Sequence, residues 1–460
     1  MFGSRYRFCS SIVVFVLCMA GAVAQPPAAP AEPLTVEEAV AFALRNNPTV
    51  TVATQDVRIA EVAVASARAE GRPTVTVAST STYNPSPASI TIPGSGGGPD
   101  RTINLSDSFS SGIQVTGSQP VWPPSRWRAP VNAAQAQVGA QGTTLSRTRQ
   151  QIAYQVRQAY YQLLSARQLQ EVADDAVRVA EGQLTLAKNT FEAGTAPRLD
   201  VVQATAALES ARVDQLRAQN GSDLAAAALA VQLGLPAGAE VRLAPQATLP
   251  PAPEAIDPLV QAALAQRTEL TELNFRRTQL RANMELIKLQ SRPIANVQVN
   301  YGDALIGSGG LSGSQSLTLA LSVAMAVYNG GKTKADLEGA RLQLEQLDTR
   351  ARQVELGITL EVRQAVLNLQ NALAQLTAAQ RQLDAANEAL DIAQVRYDFG
   401  EGIFLEVEQA RLRQTQARTA LTQARFQANL ADAQLAYALG TPVVPPATPT
   451  TPAPAPAAGQ

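Results

Sequence analysis

Phe191-x-x-Gly194-x-x-x-x-Leu199-Asp200-Val201-x-Gln203-Ala204 returns 206 residues later as Tyr397-x-x-Gly400-x-x-x-x-Leu405-Glu406-Val407-x-Gln409-Ala410. The match extends in both directions without a gap, 149–236 on 355–442. Val156-Arg157-Gln158-Ala159 falls on Val362-Arg363-Gln364-Ala365, and both copies close on Leu-Gly-x-Pro (233–236 and 439–442). Of the 88 pairs 27 are identical, and 16 remain once Ala is left out, so alanine content alone does not create the match. The chain is an internal duplication, and two copies are too few for a solenoid.

Each copy predicts a long helix, a tight turn and a second helix. Steps of four and three through the first copy meet Ile152, Val156, Ala159, Leu163, Ala166, Gln170, Ala173, Val177, Ala180, Leu184, Ala187 and Phe191. The second copy gives Ile358, Val362, Ala365, Leu369, Ala372, Leu376, Ala379, Leu383, Ala386, Leu390, Ala393 and Tyr397. A seam this narrow is that of a coiled coil rather than the broad face of a globular helix. Large residues alternate with Ala along much of it, which lets neighbouring helices approach closely. A continuous helix over 126–190 would be about 100 Å long at ~1.5 Å per residue. No compact core has that length, so the helix is read as a rod.

The amino terminus reads as a secretory signal over 1–24: Arg5 and Arg7, an apolar run over 12–17, then Ala22-Val23-Ala24. Both cysteines, Cys9 and Cys18, fall inside it, and bulky Phe15-Val16-Leu17 ahead of Cys18 rules out a lipobox. The remainder has neither Cys nor His, which excludes disulfides, Cys/His zinc sites and His-based triads. Its balance of 35 Lys+Arg against 38 Asp+Glu carries no nucleic-acid footprint. Carboxylates without His, Cys or a phosphate loop form no catalytic constellation, so neither an enzyme nor a cofactor is expected.

The order along the chain follows. A Pro/Ala linker covers 25–33. Repeat 1 is 34–236: a helix over 34–71 that resumes or kinks at Pro48, strands over 73–83 and 112–122 around a long exposed Gly/Ser/Pro loop (84–110), and a helical hairpin over 126–233. A second linker spans 237–256. Repeat 2 is 257–442, with a helix over 257–291, strands over 294–302 and 316–328, and a hairpin over 332–439; 443–460 reads as a disordered Pro/Ala tail. Arg292-Pro293 repeats Arg72-Pro73 at an offset of 220, so the second strand loop is 14 residues shorter than the first.

The strands are about as long as a tilted strand must be to cross a bilayer, and they alternate apolar with small or polar residues. A soluble sheet packed on helices is the competing reading. Trp122, Trp127 and Tyr328, at the strand ends, read as an interfacial aromatic belt. Four strands cannot close a barrel, and open edges are not tolerated in lipid. A barrel would therefore be shared: eight strands from two copies fill with side chains, whereas twelve from three leave a lumen.

The duplicated plan, the Ala-Leu-x-Asn-Asn-Pro opening at 43–48 and the Gly-x4-Leu-Asp/Glu-Val turns resemble the TolC-like outer-membrane efflux proteins. The resemblance covers nearly all of 34–442. It implies a mainly α fold with a transmembrane β part, each chain giving one third of a 12-stranded β-barrel continued by a 12-helix α-barrel. It also implies a homotrimer in the outer-membrane lipid, exporting small molecules or proteins, with a periplasmic adaptor and an inner-membrane pump as partners. The turns with Gly194, Thr195 and Ala196, and with Gly400, Glu401 and Gly402, become the adaptor-contacting tips. Asp200, Tyr397 and Glu406 fall where the family places its pore constriction and its locking bonds, with Glu408 close by. The chain departs from some members at Gly402, where a lock arginine can stand, and at Gln409, where a second pore acid can stand.

Local physics reads some of these residues differently. Gly194 and Gly400 are suited to left-handed helix caps, and Asp200 and Glu406 to the first helical turn, where the dipole favours acids. A periplasmic adaptor subunit and a structural coiled-coil envelope protein without a pore are the alternatives. The first needs a lipoyl-like β domain and a single hairpin; the second leaves four bilayer-length strands unexplained.

Overall fold

The computed structural model describes residues 32–92, 94, 101–104, 106, 108–195, 197–244, 253, 255–306 and 315–441. The expected signal, the tail over 443–460, most of 25–33 and of 245–256, and Ala196 lie outside them. Repeat 1 runs α1 (Val36–Asn46), α2 (Pro48–Ala69), β1 (Thr74–Tyr83), β2 (Ser89–Ile92), β3 (Arg101–Asn104), β4 (Phe109–Trp122), α3 (Ser125–Glu192) and α4 (Arg198–Gln232). Repeat 2 runs α5 (Asp257–Gln266), α6 (Thr268–Leu289), β5 (Ile294–Ile306), β6 (Gln315–Ala324), α7 (Lys332–Asp398) and α8 (Phe404–Ala438). The fold is mainly helical with a β part. The 68 residues of α3 and 67 of α7 make rods of about 100 Å each.

The rods bury thin seams. In repeat 1, Ile152, Val156, Ala159 and Leu163 of α3 pack on Ala225 and Leu229 of α4 and on Val40, Ala43 and Leu44 of α1. Repeat 2 builds the same core from Ile358, Val362, Ala365 and Leu369 with Ala431 and Leu435, and from Val260 and Ala263. Toward the turns the cores thin to small clusters, Val177–Ala180–Leu208 and Ala379–Leu421–Ala424. The two rod systems meet closely where α3 crosses α6: a Cβ on Gly139 would lie 2.3 Å from the Phe275 ring.

The helices preceding the strands are each broken once: the first at Pro48, where the sequence already marks a kink, and the second at Arg267, which corrects the expectation of a single helix over 257–291. The first break follows from Pro48, which lacks an N–H and biases Asn47 to an extended ψ of 124°. Asn47 then accepts from the Thr49 N–H (2.9 Å) and donates to the Gln232 carbonyl (2.8 Å). The second break, at Arg267 (ψ 126°), has no proline. Arg267 is 4% exposed and is held by Glu269 and Glu361, with the Tyr437 ring 5.8 Å away.

Residues 237–244 are also more than a linker. Val241 is buried, Leu34 and Leu243 form a parallel bridge, and the fully buried Tyr160 donates its hydroxyl to the Leu34 and Ala244 carbonyls (3.0 and 3.1 Å). Burial, above all, raises the Tyr160 pKa.

The sheet order is β1-β4-β5-β6, all antiparallel, and it matches the helix order α2-α3-α6-α7 because each strand continues the helix beside it. Register fixes the faces. Val77, Val115, Tyr301 and Leu317 form one row, and the neighbouring row is Thr76, Thr116, Asn300 and Thr318. Over these rows one face is apolar and the other small or polar across all four strands, the apolar face giving way to Ser79, Asp303 and Gln315 toward the loop end. Two expectations need correction here. The loop over 84–110 carries a strand pair of its own, β2 antiparallel to β3, in register from Ser89 opposite Asn104 to Ile92 opposite Arg101. The last strand stops at Ala324, not 328, because β5 begins at Ile294 after Pro293 and offers no partner beyond that pair.

Candidate functional site

The site is built at the far ends of the rods from how these helices stop. Gly194 and Gly400 both adopt φ near +75°, a conformation that costs a residue with a Cβ ~1–2 kcal/mol. This lets Thr195 N–H reach the Thr190 carbonyl (3.0 Å) and Glu401 N–H reach the Arg396 carbonyl (2.8 Å). With the bonds from Gly194 to Phe191 and from Gly400 to Tyr397, each turn is a complete Schellman cap. Five residues separate α3 from α4 and α7 from α8. Gly402 fits tightly over the end of α7, where a Cβ would come within 3.1 Å of the Tyr397 nitrogen.

The second tip is tied more firmly than the first. The Arg396 guanidinium donates to the Glu401 carbonyl (3.3 Å) and lies 3.6 Å from the Glu406 carboxylate, so one cation spans the turn. Tyr397 stands edge-on to Phe404 at 6.1 Å between ring centres. Tyr397 and Glu406 are therefore brought together around one turn. Asp200, half-buried, opens α4 on the other hairpin, and among the described residues no hydrogen bond joins it to Tyr397.

Glu408 stands apart from Glu406. Two residues further on, it lies about 200° around α8, in a groove of about 580 Å³ between α8 and the α3–α4 hairpin. One of its oxygens is buried without a hydrogen-bond partner among the described residues. Arg411 lines the same groove and donates to Gln394 (3.3 Å); burial lowers its pKa, against the opposing pull of Glu408. Further along, Arg418 reaches Asp175 of α3 at 3.7 Å, linking the two hairpins.

The sequence reading missed Arg396 and Arg411. A signal existed in the duplication itself. Arg396, Glu401, Glu408 and Arg411 stand where the first copy has Thr190, Thr195, Val202 and Thr205, so only the second tip acquired this charge network.

The three aromatics expected at a membrane interface separate as well. Trp122 ends β4 on the apolar face, opposite Ala295, and Tyr328 is almost fully exposed beyond β6. Trp127 instead packs on Gly71, where a Cβ would meet its ring at 2.8 Å. Trp127 is half-buried at the start of α3. Among the described residues no helix is long and apolar enough to cross a membrane.

The model of the family described as outer membrane efflux protein matches residues 40–235 and 259–441. Protein CyaE of Bordetella pertussis is 26% identical over 259 residues, 53% of this chain and 52% of CyaE. Outer membrane efflux protein BepC of Brucella suis is 24% identical over 78% of this chain and 74% of its own length. The match thus spans about half of one relative and three quarters of the other. Among solved structures, CusC superposes with a TM-score of 0.73 at 20% identity, covering 88% of this chain and 92% of CusC.

Proposed function

The chain belongs to the outer membrane efflux protein family, and on that footing we propose that three copies close into one export channel. It serves as the exit duct of a tripartite efflux or type I secretion system, carrying small molecules or proteins to the outside. The observation that carries this reading is that the protomer ends in two unlike open edges. One edge presents β1, α2 and α4, with Val52, Ile59, Val62, Leu216, Leu224 and Val231 exposed. The other presents β6 and α7, with Leu342, Leu356, Leu360 and Leu367 exposed.

Unlike edges join head to tail, and such contacts make a ring when the rotation closes. Open strand edges cannot persist in lipid, and three copies are the smallest number that leaves a lumen. Native mass spectrometry of the detergent-extracted protein is expected to give a trimer. A monomer or dimer as the sole species would overturn the reading.

At the other end, the exposed Leu199, Phe399 and Ile403 beside the two turns form the surface offered to a periplasmic adaptor, itself bound to an inner-membrane pump. Glu406 is the acid of the constriction, with Tyr397 and Asp200 near it. Its Arg396 partner sits on the same turn, and both side chains are about half exposed, so the pair is worth little in water.

Replacing Glu406 by Gln removes three carboxylates per channel and leaves three guanidinium groups behind. Cation over anion permeability in planar bilayers is expected to fall roughly 25-fold, since one unit charge met at about 4 Å in water weighs about fivefold on the cation and about fivefold the other way on the anion. Unchanged reversal potentials under a salt gradient would return Glu406 to the role of a dipole-stabilising acid.

A further inference from the structure

We infer that the polar face of the sheet is a charge-neutral stretch of the conduit, which passes polar solutes of either sign and leaves charge selection to the helical tips. The inference rests on the channel reading above and adds to it where selection does and does not occur. Three successive rows cross all four strands on this face: Thr74-Ser118-Gln298-Ala320, Thr76-Thr116-Asn300-Thr318 and Ala78-Gln114-Gly302-Ser316. They hold hydroxyls, amides, Ala and Gly, and no ionisable group. The one charged residue on β1, β4, β5 and β6 is Asp303, which pairs with Ile113 and Gln315 at the loop end and has the parity of the apolar face.

Neutrality matters here because any charge on this face would be repeated by every copy. Charges of one sign in a narrow water-filled wall focus the field and select by charge. Hydroxyls and amides both donate and accept, so they replace part of the hydration shell of a cation, an anion or a neutral solute alike. The tips cannot supply the missing field. They lie one rod length away, about 100 Å, or about ten Debye lengths at 0.1 M salt.

The test is thiol accessibility in the full-length protein reconstituted into liposomes. Both native cysteines fall within 1–24, the segment expected to be removed, and the unsubstituted protein serves as the blank. Thr318→Cys and Asn300→Cys are treated from the outer side with a cationic and an anionic methanethiosulfonate. Each rate is divided by that reagent's rate with a small free thiol.

The two normalised rates are expected to agree within about twofold, whereas a unit charge about 4 Å away would shift each roughly fivefold in opposite directions and so separate them roughly 25-fold. Leu319→Cys, on the apolar face, is expected to stay unreactive. A tenfold preference for one sign at Thr318→Cys or Asn300→Cys would overturn the inference while leaving the channel intact. Reaction at Leu319→Cys with none at Thr318→Cys would instead invert the two faces, and the channel reading would fall with the inference.

Discussion

Gly234→Ala is expected to destabilise the protein by about 2–5 kcal/mol, from left-handed backbone strain and overpacking together. Gly234 ends α4 at φ +79°, and a Cβ there would lie 2.6 Å from the Asn46 carbonyl oxygen and 3.0 Å from its carbon. Those are backbone atoms in the last turn of α1, so no rotamer change relieves the contact. The neighbouring Leu233 and Leu235 are buried in the repeat 1 core, and forcing the chain aside there would open the junction of α1, α2 and α4. Gly182→Ala is the control. It lies inside α3, well short of the helix end, with nothing within 4 Å of its Cβ position, and it should be neutral or gain up to about 1 kcal/mol of helix propensity. Thermal unfolding in detergent should show Tm several degrees lower for Gly234→Ala alone. Equal melting of the two variants would mean that α4 does not close against α1 in solution.

Leu319→Lys should prevent stable insertion, because lysine on the lipid face near the bilayer midplane costs about 2–4 kcal/mol per chain. Leu319 lies mid-strand in β6, is 74% exposed in the protomer and sits in the row Val75-Gly117-Val299-Leu319 on the apolar face. Thr318→Lys, one residue away on the opposite face, places its charge in water and should insert normally. Heat-modifiable mobility after reconstitution distinguishes them. Loss of the folded band for Thr318→Lys with retention for Leu319→Lys would reverse the assignment of lipid and lumen.

The arrangement at the tips gives the family fold a local character in this chain. Arg396 braces the second turn from within its own hairpin, through Glu401 and Glu406, and the first turn has threonines instead. The two hairpins of one protomer are therefore not equivalent at the end where a partner would engage. Glu408 and Arg411 belong to the groove between hairpins, and the Arg418–Asp175 pair bridges that groove further along. Any relative movement of the hairpins would change the surroundings of these four charges first.

The amino-acid sequence by itself determined the duplication, the two rods with their seams, the glycine caps that turn them and the alternation of the four strands. These features are periodic or local: a 3.5-residue seam, a two-residue alternation and a single left-handed residue are written within a few neighbouring positions. What only the tertiary structure decided depends on residues brought together from distant parts of the chain. Arg267 breaks a helix without proline because Glu361, 94 residues away, and Tyr437 hold it in the core. Tyr160 docks the segment over 237–244 by bonding carbonyls 126 and 84 residues away. Strict alternation from Val115 places Val121 on the apolar face and Trp122 opposite; the register shift between Pro120 and Trp122 sets Trp122 against Ala295 instead. Glu406 and Glu408 look alike in sequence, yet one meets Arg396 on its own turn and the other enters a groove formed with the other hairpin. Helical phase separated them, but only the packing of α8 against α3 and α4 gave each phase its surroundings.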